Sequence, residues 1–379
     1  MIRFEPFSPV DIRFTTLHDF QQQLSLLSDN HVIIFADEGT FARFRTECRG
    51  FESLINDKKN RLIRDIRPNP SINDICRHLN ALRNDDRYDT IMAIGGGSCI
   101  DIAKAISALQ YLSGARDVEY DEVAEAIAQK SFFNGYEPAD IIAIPTTAGT
   151  GSEVTKWATV WDMRNKKKLS VEHNGCFSKA AYIIPELTES MPPKVTLSTG
   201  LDAMSHAVES FWAKARNPLS QALALDSISR IKNALPAALK LPHDIEIRKE
   251  MCIASLLAGL AFSMTKTTAC HSISYPLTMN YGIPHGFASV LTLSPVMEIN
   301  AAAVPEIWKI TELFGGAEGF ESWLLDLTHG IQELRLSAFG INADMIDDIV
   351  REAYTLGRMD NNPVALQHET VKSILENVL

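Results

Sequence analysis

The sequence predicts a parallel α/β domain over residues 1–185 followed by an all-helical domain over residues 186–379. Three observations carry that reading. Up to about residue 186, short β-rich apolar runs alternate with stretches of helical spacing, the pattern of parallel strands joined by crossover helices. Beyond that point the strand-like runs fade, and apolar residues recur three and four apart. At 379 residues the chain is also too long for one ordinary core.

In the first half, HVIIFAD (31–37) reads as a buried strand ending in an acid. DTIMAIGGGS (89–98) is a strand that runs into glycines, with the helical CIDIAKAISALQ behind it. ADIIAIPTTAGTGSE (139–153) is a further strand, running into a loop of small and hydroxyl residues. In the second half, MPP at 191–193 opens the helices, because proline suits a helix's first turn. ALALDSISRIKNALPAALK (222–240), RKEMCIASLLAGLAFSMT (248–265) and the segments from 305 onward are helical by spacing. Ligands of open parallel sheets bind beyond the carboxyl ends of the strands. The loops after Asp37, Ile94 and Ile144 are therefore where a ligand is expected.

Composition narrows the classes. The chain is 46% hydrophobic and 22% charged, ordinary for a globular protein. A formal charge of −11 argues against a general nucleic-acid or anionic-membrane surface. The one basic run, Lys166-Lys167-Lys168, reads most simply as a solvated turn. The opening MIRFEPFSPV has acid and proline where a signal peptide needs an apolar core. No run reaches the roughly 18 apolar residues of a membrane-spanning helix. Six cysteines lie far apart with no C-x-x-C, so neither a disulfide framework nor a zinc ribbon is expected. The expected compartment is the cytoplasm.

The glycine run Gly95-Gly96-Gly97-Ser98 sits between a strand and a helix. Glycines let the chain turn sharply and let a ligand approach the backbone, and the helix start offers free N–H groups to a phosphate. Ser98 and Asp101 have capping-box spacing, with Asp in place of Glu. The run is not G-x-G-x-x-G, and alone it is equally a tight turn. Thr146, Thr147, Thr150 and Ser152 in the next loop add hydroxyls able to reach phosphate or ribose. Asp37, at a strand end, suits a ribose 2′-hydroxyl and repels a 2′-phosphate. Together the three loops favour NAD(H).

GLDAMSHAVES (200–210) places Asp202 and His206 four apart, on one helix face. HSISYPLTMNYGIPHG (271–286) places His271 and His285 fourteen apart. Taken alone, the first pair is more simply a satisfied core hydrogen bond than chemistry. If the two segments meet, one carboxylate and three imidazoles form a set that suits Fe²⁺ or Zn²⁺. Spacing does not decide between these readings. The other seven histidines lack comparable neighbours.

In order along the chain, PNP (68–70), GGGSCIDIAKA (95–105), IPTTAGTGSEVT (144–155), MPP (191–193), GLDAMSHAVES and H-x(13)-H-G resemble the iron-dependent (group III) alcohol dehydrogenases. The resemblance spans nearly the whole chain. It implies a Rossmann-like dinucleotide-binding α/β domain and an all-α domain, the architecture shared by dehydroquinate synthases and iron-containing alcohol dehydrogenases. It implies metal ligation by Asp202, His206, His271 and His285, and NAD(P) held by Gly95, Gly96, Gly97, Ser98, Thr146, Thr147 and Thr150. Asn69 and Lys168 match weaker cofactor positions, and Asp101 lies within the glycine motif. A homodimer is implied by the habit of the family.

Three departures stand out. Tyr275 occupies the place of a second histidine one turn after His271, where a phenol can hydrogen-bond substrate but cannot relay a proton as imidazole does; a packed aromatic explains it equally well. Lys266-Thr267-Thr268-Ala269-Cys270 replaces the G-L-G-x-x of relatives that take simple alcohols. On a helix, Lys266 would lie about a turn from His271, and with Lys156 it is a candidate for binding an anionic substrate. The D-P-E-L of the family reads IPEL at 184–187. The Lys-Thr-Thr run, S-Y-P-L-T, T-x-x-A-T-V-W-D and the late NNPV resemble the phosphonoacetaldehyde reductase branch.

The expected activity is metal-dependent hydride transfer between NAD(H) and a small, anionic aldehyde, with phosphonoacetaldehyde to 2-hydroxyethylphosphonate the leading candidate. The alternatives are a simple alcohol dehydrogenase, a dehydroquinate synthase-like lyase, and a non-catalytic nucleotide- or metal-binding protein. Asp202 counts against the lyase, whose relatives have Glu there. The intact set of four ligands counts against the silent protein.

Overall fold

The computed structural model describes residues 8–24, 30–83, 87–114 and 116–379. The stretch read as unlike a signal peptide, residues 1–10, thus lies largely outside the described residues. The chain divides into two compact units, one of residues 8–147 and 152–188, the other of 148–151 and 189–379.

The first unit is built on a six-stranded sheet of order β1-β8-β5-β4-β2-β3, every pairing parallel. Its strands are β1 (Asp11–Phe14), β2 (Val32–Ala36), β3 (Arg61–Ile63), β4 (Thr90–Gly95), β5 (Asp140–Pro145) and β8 (Ala180–Ile183). Central strands buried on both faces read as unbroken apolar runs, and β2 and β4 are buried at every residue. The helices are α1 (Leu17–Leu24), α2 (Glu38–Glu47), α3 (Phe51–Asn56), α4 (Ile72–Ala81), α5 (Gly97–Leu109) and α6 (Tyr120–Ala128). Two hydrophobic clusters lie on this sheet, one around Ile33, Ile91, Ile102 and Ile106, the other around Val32, Met92, Phe44 and Phe51.

Register fixes which loops are neighbours. Ala36 pairs Ile94, and Gly95 pairs Pro145, so the chain leaves β2, β4 and β5 side by side. Two-residue alternation also produces an antiparallel hairpin, β6 (Trp157–Asp162) with β7 (Lys167–Glu172), which the sequence reading passed over. The lysine run is corrected accordingly: only Lys166 (φ 50°) sits in the turn, while Lys167 and Lys168 begin a strand.

The second unit is helical, with α7 (Pro193–Trp212), α8 (Pro218–Lys240), α9 (Ile245–Thr265), α10 (Ala269–Tyr281) and α11 (His285–Val290) at its centre. Pro193 stands in the first turn of α7. Of the described helices, no single one is long and apolar enough to cross a membrane. All six cysteines are free thiols.

Candidate metal centre and cofactor loops

In the helical unit, α7 brings Asp202, His206 and Glu209 onto one face, because residues at i, i+4 and i+7 stack along a helix. His271 lies in the first turn of α10 and His285 opens α11. Gly286 is what lets α11 reach α7: a Cβ there would stand 1.8 Å from the Ser198 carbonyl oxygen.

Asp202 Oδ1 is the hub. It lies 3.9 Å from His206 Nε2, 3.6 Å from His271 Nε2 and 3.9 Å from His285 Nε2. Ligand atoms of Asp202, His271 and His285 all fall within 4.8 Å of one another. His206 lies beside this group, stacked on Phe262 (ring centroids 4.1 Å) and on His271 (4.6 Å). His206 Nδ1 donates to the Gly149 carbonyl at 3.3 Å. A carbonyl only accepts, so the proton sits on Nδ1 and the Nε2 lone pair faces Asp202. Tyr275, one turn after His271, is buried and stacks parallel to His285 at 6.0 Å.

Asp202 Oδ1 and His271 Nε2 are buried with no hydrogen-bond partner. A buried anionic oxygen left so is costly unless a cation completes it. These donors fit a divalent metal. The electrostatics agree: burial acts to raise the Asp202 carboxyl, but the surrounding imidazoles outweigh it and hold it well below the carboxylate range. Burial pushes His206 down to about 4. At His271 burial again acts downward, yet Glu209 and Asp202 outweigh it and lift the imidazole to about 10.

In the α/β unit, β4 runs into the glycine loop and α5 begins at Gly97. A Cβ on Gly95 would come 2.6 Å from that of Cys99, so only glycine permits this close turn. The helix cap is Gly96, with no side-chain bond. The predicted Ser98/Asp101 capping box is therefore wrong: both residues lie inside α5, past the cap. Ser98 Oγ instead accepts the Asn69 amide at 3.1 Å, and Asn69 holds φ 56°. Asp101 accepts from Ser152 Oγ (2.6 Å) and from the Thr159 amide (3.0 Å), which ties α5 to the hairpin. Thr146 N donates to the Gly95 carbonyl, and the Thr147 side chain lies against Gly96. Thr150 belongs to the helical unit instead. Lys168 Nζ reaches Ser170 Oγ at 3.1 Å on the hairpin. Asp37 is the cap of α2, accepting from Thr40 N and Thr40 Oγ1, each at 2.9 Å.

The two candidate anion-binding lysines lie in different units, Lys156 just before β6 and Lys266 after α9. The sequence placed Lys266 on a helix with His271. The structure corrects this. α9 ends at Thr265, the chain turns through 107°, and α10 begins only at Ala269. Lys266 itself sits at φ 61°, ψ 174°, a region that L residues rarely occupy.

Comparison with known proteins covers nearly the whole chain. Residues 9–185 match the iron-containing alcohol dehydrogenase model, and 196–379 match the C-terminal model of the Fe-containing alcohol dehydrogenase family. The chain belongs to the iron-containing alcohol dehydrogenase family. Family members use NAD(H) and a divalent metal, and this chain is an oxidoreductase of that kind. It is 32% identical to a choline dehydrogenase of Bacillus subtilis (strain 168), over 80% of this chain and 76% of that one. It is 30% identical to an NADPH-dependent butanol dehydrogenase of Clostridium saccharobutylicum, over 84% and 83%. The crystal structure of sulfoacetaldehyde reductase from Bifidobacterium kashiwanohense in complex with NAD⁺ superposes with a TM-score of 0.84 at 29% identity, covering 100% of this chain and 99% of that one.

Reading the sequence for pairs missed Glu209, which lies three residues after His206 in the same quoted stretch. Its helical spacing from Asp202 and His206 was the available signal. It also missed Lys104, fully buried in α5, whose ammonium donates to the carbonyls of Ser152 (2.5 Å), Thr155 (2.7 Å) and Trp157 (3.2 Å).

Proposed function

We propose that this iron-type alcohol dehydrogenase reduces a small anionic aldehyde with NADH, with phosphonoacetaldehyde to 2-hydroxyethylphosphonate as the leading reaction. The observation that carries the anionic substrate is Lys266. It is a cation held in a strained turn five residues before the ligand His271. The sulfoacetaldehyde reductase likeness supports an anionic aldehyde, since a sulfonate and a phosphonate are tetrahedral anions of similar size.

In this reading Asp202, His206, His271 and His285 hold the divalent cation, which when bound supplies Lewis acidity toward a carbonyl oxygen. Gly95, Gly96, Gly97, Ser98, Thr146, Thr147 and Thr150 hold the cofactor, with Asn69 and Lys168 in support. Asp37 disfavours a 2′-phosphate and so selects NADH over NADPH. When bound there, NADH would supply the hydride that reduces the carbonyl carbon of the aldehyde to an alcohol, with solvent as the source of the proton. Tyr275 hydrogen-bonds the substrate oxygen, and Lys266 orients the anionic end.

The test is an aldehyde panel with NADH on metal-loaded enzyme, comparing phosphonoacetaldehyde, sulfoacetaldehyde and propanal, with choline plus NAD⁺ as the cationic arm. A preference of at least tenfold for the anionic aldehydes is expected. Equal rates with propanal, or faster oxidation of choline, would defeat the anionic reading.

A further inference from the structure

Glu209 is fully buried on α7 and faces the N-terminus of α10. Its Oε1 accepts the Thr268 amide (3.0 Å), the Thr268 hydroxyl (2.6 Å) and the Cys270 amide (2.9 Å), with the His271 amide at 3.4 Å. Helix starts leave such N–H groups without partners, and their dipole favours an anion. The capping position of α10, Thr268, makes no side-chain cap bond of its own; its hydroxyl accepts from Trp212 Nε1 at 2.8 Å. A carboxylate from another helix thus does the capping.

The second oxygen does something a cap does not require. Oε2 accepts from His271 Nδ1. A carboxylate only accepts, so the bond keeps a proton on Nδ1, and when a cation displaces the proton from Nε2, the nitrogen 3.6 Å from Asp202 Oδ1, it is there that the lone pair is left. His206 is oriented the same way by the Gly149 carbonyl. We propose that Glu209 is a positioning residue of the metal centre, fixing the tautomer and ring direction of His271 so that Nε2 is available to the cation. Partners of this kind are typically worth ten- to a hundredfold in metal affinity.

Glu209→Gln separates this role from capping. Its carbonyl oxygen can still receive the α10 amides, but its NH₂ then faces Nδ1, which must accept. The His271 proton moves to Nε2 and blocks the ligand atom. The expected result is a Zn²⁺ affinity lowered ten- to a hundredfold, measured by competition with a chromophoric chelator, with a melting temperature near that of the wild type. Thr268→Val supplies the contrast, because it disturbs the cap without touching the Glu209–His271 bond. It should lower the melting temperature and leave Zn²⁺ affinity within about twofold. Unchanged affinity in Glu209→Gln, or an equal loss in Thr268→Val, would overturn the proposal. Should Glu209→Gln fail to fold, ¹⁵N-histidine spectra of the zinc-loaded wild type decide instead. A protonated Nδ1 on His271 supports the assignment, and a metal-bound Nδ1 refutes it.

Discussion

Asn361 holds the chain on both sides of Lys266: its side-chain amide donates to the carbonyl of Thr265 at 2.8 Å and to that of Thr267 at 3.0 Å. A non-glycine residue at φ 61°, ψ 174° costs about 1–3 kcal/mol and persists only where its surroundings hold it there. Replacing Lys266 with glycine removes that strain at a cost of about 0.5–1 kcal/mol in chain entropy. Lys266→Gly should therefore be more stable by about 1 kcal/mol while its preference for phosphonoacetaldehyde over propanal falls ten- to a hundredfold. Thermal unfolding and the two kcat/KM values check this together. A variant that is stabilised yet equally selective would show that the strain serves something other than the anion.

The clamp itself is testable. Asn361→Ala removes both bonds and should cost about 2 kcal/mol of stability at roughly 1 kcal/mol per bond. If the clamp positions Lys266, KM for the anionic aldehyde rises while KM for propanal stays within about twofold. Parallel increases for both substrates would mean that the clamp only supports the fold.

The proposed metal ligands separate by burial. His271 is buried and tied to Glu209, whereas the His285 side chain is 30% exposed. His285→Ala should fold with its melting temperature nearly unchanged and lose metal and activity together, as measured by metal analysis and NADH oxidation. Full activity after chelator treatment of that variant would remove His285 from the centre.

Asp37 both caps α2 and, in the proposed reading, selects the cofactor, so the informative change keeps the first role. In Asp37→Asn the carbonyl oxygen can still accept from Thr40, while the negative charge is gone. The NADPH to NADH ratio of kcat/KM should rise about tenfold, the effect of removing a repulsion of roughly 1.4 kcal/mol. No change in the ratio would leave Asp37 as a cap alone.

The strands at 32–36, 90–95 and 140–145 were legible because strands buried on both faces need continuous β-branched and apolar runs. The pairing of Asp202 with His206 was legible because helical spacing puts the two on one face. What escaped depended on geometry that spacing does not carry. Gly96 takes the cap expected of Ser98. The helical run ends at Thr265 as its spacing suggests, but Lys266 does not continue a helix into His271: Thr265, Thr267 and Thr268 are poor helix formers and the break falls among them. Glu209 has no meaning until the start of α10 is brought against it. The hairpin of β6 and β7 escaped because β7, with Lys167, Lys168 and Glu172 among its six residues, lacks a continuous apolar run.

His78 makes the first unit sensitive to acid. It is 2% exposed on α4, its ring edge-on to Phe35 at 5.8 Å, and its Nε2 has no hydrogen-bond partner. Burial is the main cause of its depressed pKa, about 4, with Arg77 adding to it and Asp74 opposing. Because the folded value lies below that of the unfolded chain, near 6.5, the unfolded state binds the proton more readily. Stability is intact above pH 6.5, falls as pH drops from about 6.5 to about 4, and then levels as far as this group is concerned. The loss across that window is on the order of 3 kcal/mol. His78→Leu fills the same apolar space without a titrating ring, so it should flatten this part of the acid limb. Urea unfolding of both proteins at pH 7.5, 5.5 and 4.5 measures the difference. If wild type and variant lose stability in parallel over that range, His78 is not the group responsible.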